Sequence, residues 1–277
     1  MLSELQMDSP TNPQDNPQKP AAMPKGQAQG PQAKLSDATV PELLAAAASL
    51  EKQGKLNEAL SSYFVALSKD ENNIQALEAT ATILMAAKQY EEAIPYFYRA
   101  LDHSANNIFA LNSLGLCFLK LSRQDDAMRC FSQILAIDPD NLNALINKGI
   151  AFKELDRTED AVQYFDKALK IDPQDEYALM SKGNAMAEAK RFSDAVECFN
   201  KALEANPKNA LAIYNKGEAF KNLGKPNAGK ELIEDAIRMD PHIKEELAQK
   251  KKESLWEMFS GDIKAILKAA RDMIQLK

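Results

Sequence analysis

Residues 142–175 read LNALINKGIAFKELDRTEDAVQYFDKALKIDPQD. Leu145, Gly149 and Phe152 are spaced by four and three, which puts them on one face of a first helix. Ala161, Phe165, Ala168 and Leu169 form one face of a second. Leu155-Asp156-Arg157-Thr158 is the expected turn between them. Pro173 biases Asp172 away from the helical region and closes the unit. The small residues fall where two helices would touch. Gly149 and Ala161 permit close approach, Phe165 fills the space beside them, and Ala168 leaves room for the next first helix. A larger side chain at these places costs about 1–3 kcal/mol of overpacking.

The pattern recurs at a step of 34 residues. Gly115, Gly149, Gly183 and Gly217 keep it, as do Pro139, Pro173, Pro207 and Pro241. Ala59, Ala93, Ala127, Ala161 and Ala195 form a third track, and Phe97, Phe131, Phe165 and Phe199 a fourth. Ala66, Ala100, Ala168, Ala202 and Ala236 form a fifth. A fixed period of this length marks a repeat architecture, in which each helix pair buries its apolar face only against its neighbours. Six units follow: 40–73, 74–107, 108–141, 142–175, 176–209 and 210–243.

Leu145…Gly149-x2-Phe152…Ala161-x3-Phe165…Ala168…Pro173 resembles the tetratricopeptide repeat pattern. The resemblance implies an all-α fold, a right-handed superhelical solenoid of antiparallel helix pairs. The first two units carry Ala47 and Ala81 in place of glycine. The sixth carries Pro226 and Gly229 where a helix former and an alanine are expected. An interior glycine costs about 1 kcal/mol, so the second helix of that unit is expected to be the weakest.

The flanks differ from the repeats. Residues 1–35 hold six of the 13 prolines and no Val, Ile or aromatic residue. They are expected to be a disordered tail, lacking the apolar surface to offset the entropy of ordering. Thr39-Val40-Pro41-Glu42 reads as a capped helix start, and Gly54 sits where that helix would stop. Residues 244–277 read as C-terminal capping helices that close the open end of the stack. In residues 262–277, Ile263, Ile266, Leu267, Ala270, Met273 and Ile274 share one helical face, opposite Lys264, Lys268 and Arg271. Docking on the array is the preferred account of this last helix. A partner-binding or membrane-surface role is the alternative.

The resemblance also implies where a ligand would lie. First helices line a concave groove, with positions 2, 5, 9, 12 and 13 of each unit facing it and position 6 contributing. The candidate groove residues are Phe109, Asn112 and Leu116; Asn143, Ile146, Asn147 and Ile150; Tyr177, Met180 and Asn184; and Tyr214, Asn215 and Glu218. Apolar and aromatic groups mixed with amides suit a partner peptide or helix, whose backbone the asparagines can bond. One subclass of the family clamps an acidic chaperone tail with lysines and asparagines. Asn184 and Asn215 match two of those places, but Met180 and Gln249 replace the cations, so the clamp is set aside. Lys148, Lys182 and Lys216 form a ladder beside the glycines. Snorkelling, with stems packed and ammonium groups in water, is preferred over a basic strip that steers an acidic partner.

The net charge is −6, and residues 244–277 are the basic end with 8 cations against 6 anions. That balance speaks against a nucleic-acid partner. No apolar run approaches a membrane span, the first residues lack the pattern of a secretory signal, and three cysteines make no disulfide framework. The expectation is a cytoplasmic protein with buried Cys117, Cys130 and Cys198. His103 and His242 have no catalytic companion, and no phosphate loop, nucleophile elbow or metal motif occurs. No enzyme activity, cofactor or metal is expected. The expected role is a scaffold or adaptor that binds another protein. A chaperone for subunits of an assembling or secreted complex, or a non-catalytic regulatory subunit, is the alternative, and self-association through the groove is open.

Overall fold

Each first helix begins on a residue that can cap it. Thr39 donates from its N–H and its Oγ1 to Glu42 Oε2, both at 2.8 Å. One period on, Asn73, Asn107, Asn141, Asp175 and Asn209 accept from the backbone N–H three residues later. These bonds satisfy an amide that a helix start leaves without a partner. The track keeps the 34-residue step and lies outside the five that the packing residues define.

The computed structural model describes residues 37–245. They form α1 (Val40–Lys52), α2 (Leu56–Lys69), α3 (Ile74–Ala86), α4 (Tyr90–His103), α5 (Ile108–Lys120) and α6 (Gln124–Ile137). Then come α7 (Leu142–Glu154), α8 (Thr158–Ile171), α9 (Glu176–Glu188), α10 (Phe192–Ala205), α11 (Ala210–Asn222) and α12 (Pro226–Met239). These are paired antiparallel helices packed in sequence. The turn of the fourth unit ends at Arg157, one residue before the expected boundary, because Thr158 opens α8. The expected tail, 1–35, lies outside the described residues, as do all but the first two residues of the expected capping segment, 244–277.

The chain divides into two compact units between Ala144 and Leu145, inside α7. In the first, Tyr63, Phe97 and Phe131 are buried on the aromatic track, and Ala47, Ala81 and Gly115 are buried on the small-residue track of the first helices. In the second, Phe165 and Phe199 are wholly buried. A Cβ placed on Gly183 would meet Phe199 Cε1 at 2.5 Å, and one on Gly149 would meet Phe165 Cε1 at 2.6 Å. The glycines let the aromatic rings lie flush against the first-helix backbone, as the spacing predicted.

The sixth pair is built differently. Ile233 stands on the aromatic track, and a Cβ on Gly229 would meet the carbonyl oxygen of Gly217 at 2.5 Å. α12 therefore approaches α11 backbone to backbone, and the glycine that propensity marks as a weakness is what allows it. The outward face of this pair is only partly covered among the described residues. Leu179 and Met186 of α9 are buried in a cluster with Ala212 and Ala219 of α11. Their counterparts one period on, Ile213 and Phe220, are only half-buried. Residues 242–245 are helical, with Ile243 buried.

Turns between paired helices hold a residue at positive φ. Gly54 has φ +73° and Gly224 φ +75°, but Lys88, Ser122, Asp156 and Lys190 hold the same place at 54–60°. Of these six, the sequence pattern marks only Gly54 as a helix stop.

Candidate binding groove

In the second unit, α7, α9 and α11 present a common face with two adjoining hollows. The larger, of about 630 Å³, is lined by Ile150 and Lys153 of α7, Tyr177, Met180 and Asn184 of α9, and Leu211 of α11. The smaller, of about 290 Å³, is lined by Asn184 and Glu188 of α9 with Asn215, Glu218 and Asn222 of α11. Asn184 belongs to both. Its Oδ1 accepts from Asn215 Nδ2 at 3.0 Å, which ties α9 to α11. This pairing uses one donor and one acceptor of the two amides. The Asn184 N–H₂ and the Asn215 carbonyl keep capacity for a ligand backbone.

The two exposed apolar side chains at the larger hollow are Tyr177, 58% exposed, and Leu211, 37% exposed. Both are second residues of their units, one period apart. Phe109 holds the same place in the first unit and is 50% exposed, its ring edge-on to Phe97 with centroids 6.5 Å apart. Asn112 and Leu116 beside it are half-buried, and Asn143 is exposed. These four belong to the first unit.

Three of the expected groove residues are not open to a ligand. Met180 is only 7% exposed and clusters with Ala212 of α11. Ile146 and Asn147 are also buried. Met180 packs toward the following pair, whereas Asn112, at the same position of an earlier internal pair, is half-buried, as are Tyr214 and Asn215 of the last pair. Met180 contributes to the floor of the hollow, but its energetic role is packing. The less buried candidates on this face are Tyr177 and Leu211 at the second position, Ile150, Asn184 and Glu218 at the ninth, and Tyr214 and Asn215 of the last pair.

Charge on this face is mostly paired. Lys153 Nζ lies 3.1 Å from Glu188 Oε1 and links α7 to α9. Lys221 Nζ lies 2.9 Å from Glu218 Oε1. Burial, and then the nearby Glu218 carboxylate, raise the Tyr214 pKa above its ordinary value. At the start of α9, Asp175 caps the Ala178 amide at 2.6 Å, and Glu176 accepts from the side-chain amides of Asn206 and Asn209. Asp175, Glu176, Ser181 and Asn209 line the larger hollow and were missed by sequence reasoning. The cap track would have found Asp175 and Asn209; nothing in the periodicity singles out the other two.

The lysine ladder does not form a strip on this face. Lys148 Nζ sits 4.9 Å from the Tyr164 ring centre, Lys182 Nζ pairs with Asp166 at 2.6 Å, and Lys216 Nζ lies 5.9 Å from the Phe220 ring. Each ammonium is met locally, in accord with snorkelling. Among the described residues, no group of three or more His, Cys, Asp or Glu could hold a metal ion. No described helix is long and apolar enough to cross a membrane. All three cysteines are buried.

Family models of tetratricopeptide repeats match residues 44–108, 84–145, 142–175, 183–224 and 210–243. Among solved structures, a tetratricopeptide repeat protein from Parabacteroides merdae ATCC 43184 is 21% identical, with 77% of this chain and 88% of that chain covered and a TM-score of 0.65. PilW, a widely conserved type IV pilus biogenesis factor, is 23% identical, with 73% and 93% covered and a TM-score of 0.65. PilF of Pseudomonas aeruginosa is 16% identical, with 79% and 99% covered and a TM-score of 0.59. At these identities the likeness is one of fold. No curated protein matches the sequence.

Proposed function

The chain belongs to the tetratricopeptide repeat family, and we propose that it is an adaptor that holds a segment of another protein on the common face of α7, α9 and α11. Proteins of this family typically mediate contacts between proteins. The observation that carries the reading is Tyr177. A large aromatic side chain, more than half exposed, stands over a hollow with an apolar floor and a half-used amide pair at its side. Exposed aromatic anchors beside hydrogen-bonding groups are enriched at protein interfaces. A partner side chain against Tyr177 and Leu211 supplies apolar burial, and Asn184 and Asn215 fix the register of its backbone.

The test is Tyr177→Glu in the intact protein. Partners are captured by chemical cross-linking, identified by mass spectrometry and titrated with purified protein. Tyr177 is exposed, so the far-UV circular dichroism stays unchanged. Loss of an aromatic anchor costs about 2 kcal/mol or more, about 30-fold in Kd. A partner that binds this variant as tightly as the parent removes the face from consideration. Met180→Glu is unsuitable, because a charge at that buried place disturbs packing and binding together.

A further inference from the structure

We propose that residues 262–277 of this chain occupy the hollow over Tyr177, so that the groove is self-occupied and an outside segment binds by displacing them. The proposal rests on the reading of this face as a segment-binding groove. The first observation is where the chain leaves the described structure. Ile243, two residues before that point, lines a hollow of about 450 Å³ together with Leu211 and Asn209. Leu211 and Asn209 also line the hollow over Tyr177. The exit of the chain and the mouth of the groove share a wall.

The second observation is length. Residues 246–261 lie between the exit and the proposed occupant. Sixteen residues span about 50 Å extended or about 24 Å as a helix. Three neighbouring first helices at about 8–10 Å spacing present a face about 20 Å across. The tether reaches across the groove in either form.

The third observation is chemistry. Ile263, Ile266, Leu267, Ala270 and Ile274 recur at helical spacing, and Lys264, Lys268 and Arg271 flank them. The hollow offers Ile150, Tyr177, Met180 and Leu211 to the apolar set. At its edge Asp175 and Glu176 accept hydrogen bonds from neutral amides, whereas Glu188 and Glu218 have lysine partners. The carboxylates at the start of α9 are where a cation of the segment finds its complement. The N-terminal 36 residues contain no Val, Ile or aromatic side chain, and their three Leu and three Met are a sparser apolar set than that of residues 262–277.

The experiment uses the full chain carrying Gln174→Cys, an exposed place next to Asp175 at the edge of the hollow, and Ala269→Cys, joined by a short bismaleimide. The natural cysteines are buried. A control protein pairs Ala269→Cys with Lys167→Cys, an exposed place on α8. A tethered segment acts at an effective concentration of the order of millimolar, so cross-linking within one chain should run about tenfold faster for the Gln174 pair than for the control. Adding Lys264→Glu, Lys268→Glu and Arg271→Glu should bring the rate down to the control. Equal rates for the two pairs, or products only between two chains, overturn self-occupancy. A labelled peptide of residues 262–277, added to the charge-reversed chain, then separates the two ideas. Where the cross-linking rates are equal, peptide binding that Tyr177→Glu abolishes keeps the groove and rejects only its occupation within the same chain. No binding, combined with equal cross-linking rates, removes both.

Discussion

Replacing Gly229 with alanine puts two forces in opposition. By helix propensity alone the change is favourable, since glycine in a helix interior is about 1 kcal/mol worse than alanine. It also restores the residue that the five preceding units carry at this place, as at Ala161 and Ala195, both wholly buried. Packing says otherwise. The new Cβ would lie 2.5 Å from the Gly217 carbonyl oxygen, 2.6 Å from Lys221 Cγ and 3.0 Å from the Lys221 amide nitrogen, where ordinary contact begins at 3.4 Å. Two of those three atoms are backbone, so no rotamer change relieves the contact. α12 must move about 1 Å away from α11, at about 1–3 kcal/mol.

Overpacking outweighs propensity, and Gly229→Ala should be neutral to destabilising by up to about 2 kcal/mol. In a unit of about 100 residues, each 1 kcal/mol appears as about 4–8 °C in Tm. Urea titration followed by far-UV circular dichroism reads the effect as a lower midpoint at constant slope. A second variant tests the cause. Gly229→Ala with Ile233→Phe rebuilds the arrangement of the preceding units, where a phenyl ring fills the gap between slightly wider helices, and should recover part of the loss. A single Gly229→Ala protein with a raised midpoint would mean that propensity prevails over packing here, and would refute the reasoning from the Gly217 contact.

Lys190 lies at φ +60°, where a side chain costs about 1–2 kcal/mol, so Lys190→Gly should raise the midpoint by about 1 kcal/mol in thermal or urea melts. The cysteines give a pH dependence. Burial, with Glu91 beside Cys117 and Asp126 beside Cys130, pushes both thiols from an ordinary 9.0 up to about 12. Stability from keeping them neutral is complete below pH 9.0 and is lost as pH rises toward about 12, so the urea midpoint should fall across that window. At pH 8 iodoacetamide should label Cys117 and Cys130 only after unfolding, and prompt native labelling would contradict their burial.

The repeat fold was legible because packing repeats. Gly149 and Gly183 answer to phenyl rings at Phe165 and Phe199, so a small residue and a large one must keep one step, and the step shows in the sequence. The cap track from Thr39 to Asn209 keeps the same step but is harder to see, because caps vary among Thr, Asn and Asp while each packing track holds one residue type over most of the units. The turns at Lys88, Ser122, Asp156 and Lys190 left no trace, since only glycine advertises a positive φ. The groove was legible by face and not by depth. Helical spacing places Met180 beside Tyr177, but whether a side chain meets water or the next pair depends on its neighbour's small residues, here Ala212 and Ala219. Gly229 shows the same limit from the other direction. Read one helix at a time it is a defect, whereas against Gly217 it is the contact that joins two helices. For a repeat protein, then, the partner-facing set follows from asking which positions the next repeat leaves uncovered. By that criterion we propose Tyr177 and Leu211, rather than Met180 or Ile146, as the residues of recognition.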